Sequence, residues 1–378
     1  VDADLDGSLL AAAIEARRDT PSVWESFRLL TYKDERMPLW DGVSMDWWGI
    51  HSHRDDVERS GSAIYSWASW TDAGTAQGVL HRFMTLSNPQ RAVIAAWSHG
   101  ARHDASPFNP AEAPLEPATE EQMLEDLCFY ERYVRGDAGG RHELVYRTMG
   151  EDRWKLTEVW PLPETDHQNW YFGPGGTLSR SEPTVAGADE YRVDFTHTTG
   201  TRNRWATNNG AGDVVYADRS LADAKLLTYT SEPLQRDIEV TGHPTVSLQL
   251  RSSLEDGALF VYLEDVTPDG RVLYIGEGQI RLLHRRISEE EPPFVTAGPY
   301  HSYKEADGKP MTPGAVEEVV FALLPTSVLF RAGHRIRISI GGADADTFAR
   351  VPAQGTPVYT LERGPEYGSH IRLPVIPR

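Results

Sequence analysis

The stretch from Ile64 to Asp104 constrains this chain more than any other. Ile64-Tyr65-Ser66-Trp67-Ala68 is an apolar and aromatic run of strand length that stops at a polar turn holding Asp72. From Thr75 to Leu86 the apolar residues Val79, Leu80, Phe83 and Met84 recur at helical spacing. Ala92-Val93-Ile94-Ala95-Ala96-Trp97 is a second apolar run, ending at Ser98-His99-Gly100. Two such runs joined by an amphipathic helix predict a βαβ unit with parallel strands.

In parallel sheets polar chemistry gathers just beyond the carboxyl ends of the strands. Asp72 and His99 both stand there. A carboxylate after one strand and an imidazole after the next can meet across the strand ends, the first fixing the tautomer of the second. The order Asp then His also matches the last two members of an α/β-hydrolase triad. A strand-end Asp equally serves as a helix cap, and a strand-end His equally bonds to backbone. Spacing alone leaves both readings open.

The rest of the chain divides in three. Residues 1–61 are helical and rich in Trp and Phe, with Trp24, Phe27, Trp40, Trp47 and Trp48, and with Pro21 and Pro38 as punctuation. These aromatics either pack on a neighbouring domain or wall an apolar pocket. Residues 62–138 hold the βαβ unit, a Pro-rich connector and a helix over Glu120–Arg135, with Leu124, Leu127, Cys128, Tyr130 and Tyr133 as its buried positions. Cys128, the only cysteine, is expected to be a buried structural thiol. The flexible stretch Gly136–Gly140 sets the boundary. Residues 139–378 carry many short β-type runs separated by Gly and Pro turns, which predict a β-sandwich or jelly roll.

Composition excludes several partners. A net charge of −19 makes nucleic acid and anionic membranes poor partners. No apolar run approaches the roughly 18 residues that span a bilayer, and a cytoplasmic location is expected, with secretion not excluded. Gly173-Pro174-Gly175-Gly176 lacks the Lys-Ser/Thr pair of a phosphate cradle and reads as a turn. Asp344 and Asp346 have too few oxygen-bearing neighbours for a calcium loop. Without HExxH or paired CxxC, no metal site is expected. His81 and His103 are rival bases to His99.

With these residues laid out, the chain resembles the CocE/NonD serine hydrolases, the cocaine esterase and X-prolyl dipeptidyl-peptidase-like family. Ser69-Trp70-Thr71-Asp72 is similar to the family's Gly-Trp-x-Asp, and Ala96-Trp97-Ser98-His99 to its Pro-Trp-Ser-His. Phe129 to Gly136 resembles the helix leading out of the catalytic domain. Met149 to Trp154, Trp160-Pro161-Leu162-Pro163, Tyr229 to Leu234, Val240-Thr241-Gly242 and Pro325 to Ile336 resemble jelly-roll signatures. The resemblance implies a helical cap over 1–61, the C-terminal half of an α/β-hydrolase domain over 62–138 and a jelly roll over 139–378.

It further implies Asp72 and His99 as triad members, with Trp47, Trp48 and Trp70 flanking the acyl site and no metal or organic cofactor. No Gly-x-Ser-x-Gly elbow occurs, and Gly42-Val43-Ser44-Met45-Asp46 breaks at its last position. The nucleophile is therefore expected from an N-terminal segment on a separate or missing stretch, in keeping with a chain that opens on Val1 and not Met. The expected substrate is a small-molecule ester or amide. Gly74 and Thr75 stand where relatives acting on α-amino acid esters carry acidic residues, which argues against an α-amino substrate. Homo-oligomerisation is left open. The competing expectation is a non-catalytic jelly-roll binding or scaffold protein.

Overall fold

The computed structural model describes residues 4–20, 22, 26–37, 42–136, 140–208, 210 and 212–378. Trp24, Trp40, Pro21 and Pro38 lie outside them, as do residues 137–139 of the expected break.

Helices α1 (Ser8–Ala16) and α2 (Arg54–Ser60) open the chain, and neither has a buried residue. The apolar residues of α1 face outward, with Leu9, Leu10 and Ile14 exposed. Other parts of this region dock on the β-rich part of the chain. Lys33 donates its backbone N–H to Tyr303 O (2.8 Å), and the Tyr32 ring meets His284 edge-on.

Strand β1 (Ile64–Ser69), helix α3 (Thr75–Thr85) and strand β2 (Gln90–Ala95) form the expected βαβ unit, with β1 parallel to β2. Ala76, Val79, Leu80 and Phe83 are buried at the i, i+3, i+4, i+7 spacing that puts them on one face. Helix α4 (Thr119–Val134) follows. Its sequence pattern was expected to bury Leu124, Leu127 and Tyr130, but all three are exposed, and so is Cys128. The helix instead turns a polar and aromatic face to the sheet, with Phe129 stacked on Tyr65 and Glu125 ion-paired to Arg91 at 2.7 Å.

Strands β3 (His142–Thr148) and β4 (Arg153–Thr157) were expected in the β-sandwich. They pair instead into the smaller sheet, in the order β1-β2-β3-β4, with β3 parallel to β2 and β4 antiparallel to β3. The burial pattern of β3 alternates toward the β1–β2 face, with Leu144 and Tyr146 in the core.

The remaining strands make one larger, mostly antiparallel sheet system. They are β5 (Asp166–Gly173), β6 (Thr177–Ser179), β7 (Gly187–Arg192), β8 (Leu227–Ser231), β9 (Ile238–Gly242) and β10 (Thr245–Ser252). After them come β11 (Ala258–Val266), β12 (Val272–Arg281), β13 (Glu317–Ala322), β14 (Thr326–Phe330), β15 (Arg335–Gly341), β16 (Val358–Arg363) and β17 (His370–Ile376). Their main path runs β12-β11-β15-β8-β6-β5-β17-β10-β16-β7. Two short helices, α5 (Arg204–Asn208) and α6 (Ser220–Asp223), sit in the long connection from β7 to β8. Gly173 to Gly176 is a tight turn joining β5 to β6.

The two sheets share one core. Leu80 and Phe83 of α3 and Tyr146 of β3 belong to the same buried cluster as Val240, Leu248 and Val328 of the larger sheet system. Thr148 Oγ1 and Ser327 Oγ, 2.9 Å apart, tie β3 to β14 inside it. Among the described residues no helix is long and apolar enough to cross a membrane.

Candidate active site

The loops after β1 and β2 are laced together by Ser69. Its Oγ accepts the backbone N–H groups of Thr71 (3.0 Å) and Trp97 (2.8 Å) and donates to Trp97 O (2.7 Å). Thr71 Oγ1 adds a second bond to Trp97 O at 3.1 Å. The two strand ends are thereby held in fixed register.

Asp72 does not cap the following helix. The cap position is Gly74, and no side chain bonds there. The Asp72 carboxylate turns instead to His99, with Oδ2 2.9 Å from the imidazole Nδ1. The Asp72 side chain is 7% exposed and that of His99 52%. A buried carboxylate at Nδ1 favours the tautomer that carries its proton there and leaves Nε2 as the basic nitrogen. Both residues line a cavity of about 270 Å³ with Trp67, Trp97, Ser98 and Gln122.

The other candidates go elsewhere. Trp70 is fully buried, donates Nε1–H to Arg147 O (2.9 Å) and packs on Trp160, so it is a core residue and cannot flank an acyl site. Trp47 and Trp48 are exposed and do not line the Asp72–His99 cavity. His103 pairs with Asp213 at 3.3 Å, both partners about half exposed. His81 is packed against Phe294, and burial pushes its imidazole down to about 4. Asp344 is spent on the fold, accepting from Thr199 N–H (3.1 Å) and Thr199 Oγ1 (2.5 Å). Among the described residues no cluster of His, Cys, Asp or Glu is placed to hold a metal ion.

Three residues on α5 reach the site from about a hundred positions away. Thr207 Oγ1 accepts the His99 backbone N–H (3.2 Å), and the Asn208 amide lies 3.4 Å from His99 Nδ1. Arg204 bonds to the backbone of Ala73, beside Asp72. Nothing in the local pattern of Arg204-Trp205-Ala206-Thr207-Asn208 signals this.

Residues 141–371 match the family described as X-Pro dipeptidyl-peptidase C-terminal non-catalytic domain. The chain belongs to the CocE/NonD-like hydrolases. It is 40% identical over its whole length to a proposed serine esterase of Mycobacterium bovis. It is 29% identical over 82% of its length to the cocaine esterase of Rhodococcus sp.. A CocE/NonD family hydrolase from Staphylococcus aureus shares the fold, with a TM-score of 0.61 at 15% identity, covering 84% of this chain and 54% of that one. The chain spans 63% of the length of the mycobacterial relative and 56% of the Rhodococcus one. In this CocE/NonD-like chain the first hairpin of the family's C-terminal domain, β3–β4, is built into the sheet that carries Asp72 and His99.

Proposed function

We propose that this chain supplies the base and the orienting acid of a Ser-His-Asp triad that hydrolyses a carboxylic ester or amide. The observation that carries the reading is the 2.9 Å contact between a buried Asp72 carboxylate and a half-exposed His99 ring at adjacent parallel strand ends. In this reading 62–157 belong to the C-terminal part of an α/β-hydrolase domain, and the larger sheet system is its jelly roll. The serine comes from an N-terminal segment outside this sequence.

His99 Nε2 removes the serine proton as the oxygen attacks the acyl carbon. The tetrahedral intermediate collapses when Nε2–H protonates the leaving alcohol or amine, and the sequence repeats with water to free the acid. Asp72 holds Nδ1–H throughout. The backbone N–H after the serine, with an upstream Tyr by family resemblance, receives the oxyanion.

The test uses a serine-directed fluorophosphonate on the enzyme containing both this chain and the serine segment. The wild type takes the label, and His99→Ala slows p-nitrophenyl ester turnover by at least about 10⁴-fold. A protein that is neither labelled nor able to turn over esters is instead the non-catalytic binding form of this fold. Turnover untouched by His99→Ala removes the dyad from the mechanism.

A further inference from the structure

We infer that helix α5 of the domain described as non-catalytic is a positioning clamp on the Asp72–His99 pair. The inference rests on the triad reading and goes beyond it, because it gives a residue set in the β-rich part a role in turnover.

Both members of the pair sit on loops, and the Asp72 loop includes an unfavourable conformation. Ala73 has a φ of 39°, a region that a residue with a Cβ seldom occupies. It is held there from both sides by one residue. Ala73 N–H donates to Arg204 O at 3.0 Å, and Arg204 Nε donates to Ala73 O at 2.8 Å. Arg204 is itself 1% exposed. Its Nη1 bonds to Tyr274 OH (3.3 Å), and its backbone N–H donates to Tyr216 OH (3.1 Å). The next residue, Trp205, donates Nε1–H to the buried carboxylate of Glu277 on β12. The Nε and Nη1 bonds tie the buried guanidinium to Ala73 and to Tyr274 on β12, while Nη2 has no hydrogen-bond partner among the described residues; together with the Trp205–Glu277 bond they fix α5 to the sheet behind it.

One turn further on, the same helix reaches the second loop. Thr207, 5% exposed, accepts the His99 backbone N–H on Oγ1 at 3.2 Å. One five-residue helix thus touches the backbone beside the acid and the backbone of the base. A group that fixes two reacting loops relative to one another acts on the rate, since about 1 Å of misplacement can cost about 10²-fold. A mere packing contact acts on stability alone. Arg204 and Thr207 are positioning residues, not catalytic ones.

The experiment measures kcat and KM for p-nitrophenyl acetate in the enzyme containing the serine segment, with Tm read alongside. Thr207→Val keeps shape and removes the acceptor. Its kcat is expected to fall about tenfold with KM within about twofold, and Thr207→Ser restores it. Arg204→Lys keeps the charge but loses the fork that binds Ala73 O and Tyr274 together, and its kcat falls about 10- to 100-fold.

His99→Ala and Asp72→Asn are measured in parallel. If they collapse turnover while Thr207→Val and a folded Arg204→Lys work at the wild-type kcat, the clamp is overturned and the triad stands. Equal loss in Thr207→Val and Thr207→Ser, following Tm, marks α5 as packing only and also overturns the clamp. Wild-type turnover by His99→Ala removes the triad and the clamp together. A kcat-specific loss in Thr207→Val rescued by Ser establishes the clamp even where Arg204→Lys does not fold.

Discussion

Helices α3 and α4 belong to the same small sheet, read alike in sequence and behave differently. Each is amphipathic and each follows a strand of the βαβ pattern. In α3 the apolar stripe is inside, with Leu80 fully buried and Phe83 2% exposed. The His81–Thr85 side of the same helix is covered as well, by the connection from β12 to β13, where the Thr85 hydroxyl accepts Val295 N–H (2.9 Å) and His81 stacks on Phe294. In α4 the aliphatic stripe is outside. Met123, Leu124 and Leu127 are each 60% exposed, while Glu125 and Phe129 meet the sheet. Periodicity fixes which residues share a face. It does not fix which face is covered, because that depends on what lies on the other side.

The largest effect that tests this contrast is on stability. Phe83 fills core space against His142, with ring centroids 4.0 Å apart. Phe83→Ala should destabilise the chain by about 3–5 kcal/mol, through lost transfer energy and the cavity left behind. Denaturant unfolding reads this directly. A cost below about 1 kcal/mol would falsify the placement of α3 in the shared core.

A second, smaller effect comes from two histidines at the junction of the sheets. Burial pushes His243 down to about 3 and His81 to about 4, against an ordinary value of 6.5. A histidine lowered on folding takes up its proton more readily when unfolded. Its contribution to stability is therefore whole above pH 6.5 and is lost as pH falls toward the folded value. From pH 6.5 to pH 5 the loss from His243 is about 2 kcal/mol. His243→Phe keeps a ring against Trp160 and removes the titration. Its unfolding free energy should vary less with pH over that window than that of the wild type. Parallel slopes in the two proteins would mean that water reaches the junction.

The βαβ unit and the meeting of Asp72 with His99 were legible because both follow from local signals, namely strand-length apolar runs and polar residues at their ends. The sandwich-like run of strands was legible in the same way. Membership of β3 and β4 was not, since Val145 to Met149 has the alternation of an antiparallel strand and nothing in it names its partner. Trp70 lay next to a candidate acid, yet its ring turns inward to Arg147 O and Trp160. Aromatic residues suit cores and pockets alike. The α5 contacts were invisible for a different reason. His99 and Thr207 are 108 residues apart, and a single backbone hydrogen bond across that distance leaves no periodic trace.

The smallest expected effect sharpens the contrast most. Leu127 on α4 is 60% exposed, so Leu127→Ala should change the stability of this chain by no more than about 0.5 kcal/mol. The relatives extend well beyond the length this chain spans, and the proposal puts the serine segment in that extra length. If the segment packs on the aliphatic side of α4, the same substitution in the joined enzyme costs about 2–3 kcal/mol. Exposed Cys128, one position along, reports the same event by its rate of reaction with a thiol reagent, which is fast in this chain and slowed in the joined enzyme. Equal costs and equal rates in the two forms place the serine segment elsewhere. The apolar stripe of α4 would then be a surface feature that only resembles an interior one.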